Sequence, residues 1–328
     1  MVRRVAVVTG AGAGAGRAIA FRFGASGWRV GLIARDAQRL EDAKRQIEAA
    51  RGEALALPAD VADASAVDAA RDRVMAQWNR IDAWVNAAMV TVVAPVGEMT
   101  AEEYRRVTEV TYLGCVNGTL AALAAMRKQN SGSIVQVGSA LSYRAIPLQS
   151  AYCAAKFAVR GFTDALRVEL LHEGSRIRVS MVQLPAMNTP QFDWARNKMN
   201  RAYRPVGAIF DPDVAADAVW RAVHEGQREL WVGESSIEAI GGQMMAPALM
   251  DRYLEHAAWE GQLEKMRNTR TADNLYAPAP GHQGARGRFR AHAKRRAVIV
   301  DPDRVRAGFA ATALSALAVL GAVKLLRR

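Results

Sequence analysis

The sequence is poor in the residues from which disulfide frameworks and metal sites are built. It contains two cysteines, Cys115 and Cys153, which form no C-x-x-C pair. This usage excludes a disulfide framework and is typical of a protein from a reducing, cytoplasmic environment. The five histidines do not have the spacing of metal ligands, so we predict no metal site.

Acidic residues are scarce in one part of the chain only. The formal net charge is +12, and the stretch from Lys265 to Arg328, with fourteen basic and three acidic residues, carries +11 of it. The preceding part is therefore almost neutral. This break in composition predicts three parts: a folded domain over 1–262, a basic linker rich in Pro, Gly and Arg over 263–306, and an apolar helix over 307–323.

One long uncharged run lies near the carboxyl terminus. Residues 307–323 are seventeen residues without a charge, flanked by basic residues. A helix that crosses a bilayer needs roughly 20 residues, with about 17 as the lower limit. The run predicts an anchor that holds the protein on the cytoplasmic face of a membrane; the alternative is a helix that packs on protein. The basic tail has no groove-binding motif, so nucleic acid is not an expected partner.

The order of apolar runs indicates the fold. Short runs rich in β-branched residues alternate with stretches of helical spacing, which is typical of an α/β protein with a doubly wound, mostly parallel sheet. The predicted strands lie near residues 4–9, 28–34, 53–58, 81–86, 132–139, 176–184 and 228–232.

A glycine-rich turn follows the first predicted strand. Thr9 is followed by glycines at Gly10, Gly12, Gly14 and Gly16, and a stretch of helical spacing comes next. Strand, glycine-rich turn and helix are the context of a dinucleotide site, because the turn approaches a pyrophosphate and the helix amino terminus attracts its charge. A plain flexible turn is the alternative.

Three polar residues predict acid–base chemistry. Tyr152 and Lys156 are four residues apart and share one face of a helix, while Ser139 ends a predicted buried strand. A nearby ammonium favours phenolate, so we expect Lys156 to lower the pKa of Tyr152 toward the range of a proton donor. A hydroxyl, a phenol and a lysine that converge at a strand end can polarise and protonate a carbonyl.

Together, these motifs resemble those of the short-chain dehydrogenase/reductase family. The resemblance covers residues 5–233 and rests on Thr9-Gly-x-x-x-Gly-x-Gly16, Ser139 and Tyr152-x-x-x-Lys156 in this order. It implies a Rossmann-type, mostly parallel seven-stranded sheet with helices on both faces, and an NAD(P)-dependent reaction of alcohols and carbonyls. It also implies that Tyr152 exchanges the proton, Ser139 binds the carbonyl oxygen and Lys156 binds the nicotinamide ribose.

The resemblance implies further cofactor contacts. Thr9, Gly10, Gly14 and Gly16 belong to the loop that binds the cofactor. Asp60 matches the residue that contacts the adenine ring, and Asn86 begins the stretch that replaces the family's N-N-A-G. Pro185 and Thr189 match the P-G-x-x-x-T segment, whose threonine holds the nicotinamide carboxamide. Tyr152 and Lys156 also contact the cofactor.

One departure bears on turnover. Thr111 stands where the family has the asparagine that anchors a proton-relay water. A threonine hydroxyl is shorter but can hold a water, so we expect impaired or altered proton relay rather than its loss. Asn86–Met89 and Ala186 also depart from the family's pattern.

The end of the second strand predicts the cofactor. Arg35 comes first after this strand, and an arginine there accommodates the 2′-phosphate of NADP(H), whereas an acidic residue would select NAD(H). Asp36 is better explained as the cap of the following helix. The sequence therefore favours NADP(H) over NAD(H).

The segment 190–209 lies where the family has its substrate lid. Phe192, Trp194, Met199 and Tyr203 lie in it, and they suit an apolar substrate such as a lipid, steroid or retinoid; covering the sheet is the alternative. The resemblance implies a homo-oligomer that pairs through the long helices near 101–129 and 150–173. The competing function is a catalytically weak NADP(H) sensor or a membrane-tethered interaction module.

Overall fold

The computed structural model describes residues 3–269, 272–281 and 284–307. Its strands are β1 Val5–Thr9, β2 Arg29–Ala34, β3 Glu53–Pro58, β4 Ala83–Asn86, β5 Val92–Val93, β6 Gly132–Ser139, β7 Ile177–Leu184, β8 Ala186–Met187, β9 Arg196–Asn197, β10 Arg201–Tyr203, β11 Ile209–Phe210, β12 Glu229–Val232, β13 Leu263–Arg267 and β14 Ile299–Val300. Its α-helices are α1 Gly14–Ala25, α2 Ala37–Ala49, α3 Ala64–Trp78, α4 Ala101–Thr108, α5 Gly114–Gln129, α6 Ser150–His172, α7 Gln191–Trp194, α8 Pro212–Glu225, α9 Glu234–Met245 and α10 Pro247–Gly261.

The main sheet is Rossmann-like and mostly parallel. Its order is β14-β12-β7-β6-β4-β1-β2-β3. The seven strands expected from the sequence are all present and parallel to one another. The eighth strand, β14, comes from the carboxy-terminal region and pairs antiparallel with β12.

Helices cover both faces because the central strands are apolar on both sides, as parallel strands usually are. All five residues of β1 are buried. One face packs against α1, α2 and α8, with Ile19, Phe23, Leu40 and Val219 among the buried residues. The other face packs against α3, α5 and α6, with Val74, Met126 and Leu166 among the buried residues.

This topology decides where a site can form. The carboxyl ends of parallel strands meet at one edge of a sheet, and in doubly wound folds ligands bind there. The loops that follow β1, β2, β3, β4, β6 and β7 therefore contribute to one cleft.

The structure refines one expectation about elements and corrects another. The helical region near 101–129 is present, and it contains a π-helical turn, Glu109–Leu113, between α4 and α5. The described part of 263–306 is not a free linker: β13 pairs with β10, and β14 extends the main sheet. Composition alone does not predict this packing. The backbone N–H and carbonyl groups of the region form hydrogen bonds with neighbouring strands, and its carbonyls also accept from arginine side chains of the domain.

The predicted apolar helix at 307–323 lies, beyond its first residue, outside the described residues. Among the helices within the described ranges, none is both long and apolar enough to cross a bilayer.

Candidate active site

The glycine-rich turn between β1 and α1 has the backbone that a phosphate cradle requires. Gly10 has a φ of 71°, and a Cβ there would lie 2.9 Å from Ala88 Cα. A Cβ on Gly16 would lie 2.3 Å from the Gly10 carbonyl oxygen. Helix α1 begins at Gly14, and Ala13 provides no side-chain cap. No side chain fills the turn or caps the first N–H groups of α1, although the Gly14 N–H donates to the backbone carbonyl of Gly284 at 3.2 Å. The turn and the other N–H groups therefore fit a pyrophosphate.

Thr9 and Asn86 lie beneath the cleft rather than in its wall. The Thr9 hydroxyl accepts hydrogen bonds from Ala87 N at 3.0 Å and Ala88 N at 3.2 Å. Asn86 Nδ2 donates to Thr119 Oγ1 at 3.0 Å and Gln136 Oε1 at 2.9 Å. Thr9 therefore holds the loop after β4, and Asn86 joins β4 to β6 and α5. Neither side chain lines the cleft, and their contact with a cofactor stays a prediction.

Arginines gather at the carboxyl end of β2. Arg35 and Arg39 both line the cleft. Asp36 caps α2 by accepting from Arg39 N at 3.0 Å, as the sequence predicts. Arg39 was not among the predicted site residues. It lies three residues after the Asp36 cap, in the first turn of α2, and this position could have suggested that its side chain faces the cleft. Its guanidinium carbon lies 4.9 Å from the centre of the Trp194 ring.

Asp60 follows β3 and lines the same end of the cleft. Its carboxylate accepts from Ala62 N at 3.0 Å and forms an ion pair with Arg106. The predicted contact of Asp60 with adenine would therefore involve a carboxylate that already has two partners.

Ser139, Tyr152 and Lys156 line the cleft together with the glycine-rich turn. Ser139 ends β6, while Tyr152 and Lys156 lie in the first two turns of α6. Lys156 Nζ donates to Val137 O at 2.7 Å and lies 5.6 Å from the centre of the Tyr152 ring. The Ser139 hydroxyl accepts from Leu141 N at 3.1 Å. The helix spacing thus places Tyr152 and Lys156 on one side of α6, and the end of β6 brings Ser139 to the same cleft.

The expected direction of the Tyr152 pKa is wrong for this structure. Burial raises the pKa of the Tyr152 phenol above its usual range, and a hydrogen bond with Ser139 opposes this only in part. Burial also lowers the pKa of Lys156 to about 8. The loss of water around a charged phenolate therefore outweighs any attraction from the lysine in this structure.

Thr111 lies in the π-helical turn and is buried. Its hydroxyl donates to Val90 O at 3.0 Å and accepts from Val90 N at 3.1 Å. The single hydroxyl hydrogen is therefore committed to the backbone, while the oxygen keeps a second acceptor position, so an altered proton relay at Thr111 stays a prediction. The residue joins the π-helical turn to the loop that follows β4.

Pro185 and Thr189 follow β7 and line the cleft. The Thr189 hydroxyl lies 3.5 Å from Met187 O. Of the lid residues predicted to contact substrate, Trp194 lines the cleft. Phe192, Met199 and Tyr203 instead pack in a cluster with Leu148 and Leu263. These three residues therefore form a separate apolar cluster that does not line the cleft and contains no residue of the main sheet.

Metal-ligating side chains and cysteines were the other groups considered in the sequence. Residues 3–269, 272–281 and 284–307 bring no three His, Cys, Asp or Glu side chains together as a metal-binding group. Both cysteines are buried and unpaired, and burial raises the pKa of Cys153 to about 11.

Comparison with known proteins places this cleft in a family context. The sequence model described as short chain dehydrogenase matches residues 4–200. The chain is 32% identical over 222 residues to D-threitol dehydrogenase of Mycolicibacterium smegmatis, covering 67% of this chain and 85% of that protein. It is 32% identical over 252 residues to 3beta-hydroxysteroid dehydrogenase 1 of Eggerthella lenta, covering 74% of this chain and 95% of that protein. Among solved structures, a metagenomic short-chain oxidoreductase in complex with NADP is similar, with a TM-score of 0.57 and 30% identity over 67% of this chain and 90% of that one.

Proposed function

The chain belongs to the short-chain dehydrogenase family of oxidoreductases, and we propose that it transfers a hydride between a nicotinamide cofactor and a carbonyl or secondary alcohol. One observation carries this proposal. A single cleft is lined by the glycine-rich turn after β1 and by Ser139, Tyr152 and Lys156. A phosphate cradle and a proton donor thus open into the same space.

Each side chain has one task in the proposed reaction. The nicotinamide, when bound, supplies or accepts the hydride. Tyr152 gives its phenolic proton to the carbonyl oxygen, and its raised pKa keeps that proton in place at neutral pH. Ser139 binds the same oxygen, while Lys156, held by Val137 O, positions the nicotinamide ribose. Acid–base assistance of this kind contributes about 10²–10⁴-fold to a rate.

The proposed cofactor is NADP(H) rather than NAD(H). Arg35 and Arg39 lie where a 2′-phosphate binds in doubly wound folds, and Asp36 is occupied as a helix cap. Guanidinium groups bind phosphate well because their donors match its oxygens. The NADP-bound similar structure supports this choice.

The proposed substrate is an apolar carbonyl or alcohol, such as a lipid, steroid or retinoid-like compound. Met89, Leu184 and Met187 line the cleft together with the catalytic residues and offer apolar surface there, whereas Trp194 lies against Arg39. The two relatives act, by name, on a hydroxysteroid and on threitol. The apolar lining favours the first kind of substrate.

A substrate panel with both cofactors tests this function. We expect wild-type protein to reduce apolar ketones with a kcat/KM for NADPH at least about tenfold above that for NADH, equivalent to about 1.4 kcal/mol. Arg35→Ala should remove most of that preference, because NADH lacks the 2′-phosphate. Reduction of small polar ketones alone would contradict the substrate class, and equal losses with both cofactors would contradict the role of Arg35.

A second candidate is a catalytically weak sensor of NADP(H) or a tethered interaction module. The observation that favours it is the Thr111 hydroxyl, which donates to Val90 O and accepts from Val90 N. Tight NADPH binding without turnover across the same panel would select this candidate.

The proposed assembly is a homo-oligomer that pairs through α5 and α6. Both helices expose large apolar side chains on their outer faces, including Leu120 and Leu171. Attachment to the cytoplasmic face of a membrane through 307–323 stays a prediction.

A further inference from the structure

The carboxy-terminal region crosses the cleft along its length. We define the strap as the described residues of 274–289, which are 274–281 and 284–289. Resting on the proposed function, we propose that the strap is the outer wall of the NADP(H) site, where it orients the two arginines that bind the 2′-phosphate and retains the bound cofactor.

The first contacts of the strap are at the adenosine end. Arg35 Nη2 donates to Asn274 O at 2.6 Å, and its Nη1 donates to Leu275 O at 3.4 Å. Arg106 Nε also donates to Leu275 O, at 3.0 Å. The Leu275 side chain is fully buried in the hydrophobic cluster that contains Val61 and Val110. The strap is therefore anchored by an apolar side chain and by backbone carbonyls.

Arg39 receives the next contacts. Its Nη2 donates to Gly281 O at 2.9 Å and also to Ala279 O. Arg39 is 7% exposed, and its Nε lies 3.2 Å from Asp36 Oδ2 without hydrogen-bond geometry. Carbonyls of the strap thus fix the directions of both guanidinium groups before any phosphate arrives. Such pre-organisation lowers the ordering entropy lost on binding.

The strap then passes the phosphate turn and reaches the nicotinamide end. Gly14 N donates to Gly284 O at 3.2 Å, and Gly287 N donates to Asn188 O at 3.1 Å. Phe289 N donates to Asn188 Oδ1 at 2.9 Å. A Cβ on Gly287 would lie 2.5 Å from the Thr189 carbonyl oxygen, so this part of the strap touches the segment predicted to hold the carboxamide.

Ion pairs hold the far end of the strap to the domain. Arg286 makes two hydrogen bonds to Asp211, at 2.8 and 2.9 Å. Arg288 pairs with Glu264 at 2.6 Å and also with Asp193. Asp211 is buried, and the Arg286 guanidinium lowers the pKa of its carboxyl. The strap is thus held at its start by Arg35 and Leu275 and at its end by these pairs.

The strap lines the cleft rather than filling it. Asn274, Pro278 and Ala279 form part of a continuous wall that also contains Gly10 and Tyr152. The cleft keeps a volume of about 220 Å³. A segment that replaced the cofactor would separate the phosphate turn from the catalytic residues, whereas here both ends of the site remain connected.

Two full-length variants test the proposal by binding. Gly287→Val places a branched side chain against the Thr189 carbonyl, and Leu275→Ser removes the apolar anchor. We expect both to raise the Kd for NADPH about tenfold or more and to speed NADPH release, measured by fluorescence titration and stopped flow. Gly97→Val is the matched control, because a Cβ at Gly97 meets nothing within 4 Å. Circular dichroism confirms that each variant is folded.

Hydrogen exchange of wild-type protein gives a second readout that needs no variant. On addition of NADPH, the amides of 284–289 should exchange more slowly. Faster exchange, or tighter NADPH binding by the variants, would mean that the strap competes with the cofactor. Unchanged exchange together with unchanged binding would mean that the strap is no part of the site. Either result overturns the proposal. These results are distinct from failure of the proposed function, which would appear as wild-type protein that binds no nicotinamide cofactor or turns over no carbonyl.

Discussion

Lys156 has a buried ammonium whose pKa is lowered far from its usual value. Its ammonium is buried, and Val137 O accepts a hydrogen bond from it. Burial lowers the pKa from 10.5 to about 8, which corresponds to roughly 3 kcal/mol of lost stability at neutral pH. The fold thus tolerates an unfavourable charge at the place where the cofactor ribose is proposed to bind.

Lys156→Met should therefore stabilise the cofactor-free protein. Between about pH 8 and 10.5 the unfolded chain binds more protons than the folded one, so wild-type stability rises with pH across this window, and the full penalty is present below it. We expect a gain of about 1–3 kcal/mol at about pH 7, reduced by the lost hydrogen bond, that shrinks toward about pH 10. Urea unfolding at both pH values measures it. A variant less stable than wild type at about pH 7 would show that the ammonium stabilises the fold.

For single residues, the sequence predicted well which side chains lie close together. It predicted poorly how the surrounding protein changes their pKa values. The spacing of Tyr152 and Lys156 follows from helix geometry, so their common face was predictable. The pKa of Tyr152 depends on how much protein surrounds the phenol, which no spacing reveals. Arg39 was missed because a helix arginine usually faces solvent.

Among the elements, the π-helical turn Glu109–Leu113 has the clearest link to the site. Thr111 fixes it to Val90, and Val90 lines the cleft. The hydroxyl makes two hydrogen bonds to one backbone residue in a buried position, so its removal leaves both a buried N–H and a buried carbonyl without that partner.

Thr111→Val keeps the shape of the side chain and removes both hydrogen bonds. We expect a loss of about 1–3 kcal/mol in the free energy of unfolding, measured by urea titration. Thr108→Val is the control, since the exposed Thr108 hydroxyl donates only to Tyr104 O, and it should change stability by less than about 0.5 kcal/mol. Equal stability of Thr111→Val and wild type would show that the pair with Val90 contributes nothing.

At the scale of elements, the seven parallel strands could be predicted within about two residues. Buried parallel strands are short apolar runs, and β1 and β6 stand out clearly by this pattern. The π-helical turn and β14 could not be predicted in this way. The turn is held by the contact between Thr111 and Val90, and β14 has only two residues, so neither element produces a periodic pattern in the sequence.

In the whole molecule, one exposed apolar surface lies along α6. Phe157, Val168 and Leu171 are 42%, 66% and 79% exposed and recur at the spacing of one helix face. Leu120 of α5 is 57% exposed. Surfaces of this kind mark sites of association.

Substitution of this face should separate the proposed oligomer. Val168→Glu together with Leu171→Glu places charges in the apolar contact, and we expect a lower mass by light scattering with secondary structure retained. Val96→Glu, at a 65% exposed valine in another part of the molecule, should leave the mass unchanged. A wild-type monomer, or a double variant of unchanged mass, would contradict pairing through α6.

The charge break near residue 262 shows how far composition predicts the whole molecule. It predicted a linker over 263–306, where the structure has β13, the strap and β14, each of which contacts the rest of the fold. The carbonyls of this Pro- and Gly-rich segment bind Arg35 and Arg39, which lie about 240 residues earlier in the chain. Such distant partners cannot be recognised from local composition.

The proton carried by Tyr152 is tested most directly by Tyr152→Phe. This change removes one oxygen atom and leaves the ring, so the cleft keeps its shape. We expect carbonyl reduction to fall by about 10²–10⁴-fold while the Kd for NADPH stays within about twofold of the wild-type value. Turnover close to that of wild type, at unchanged NADPH affinity, would contradict the account.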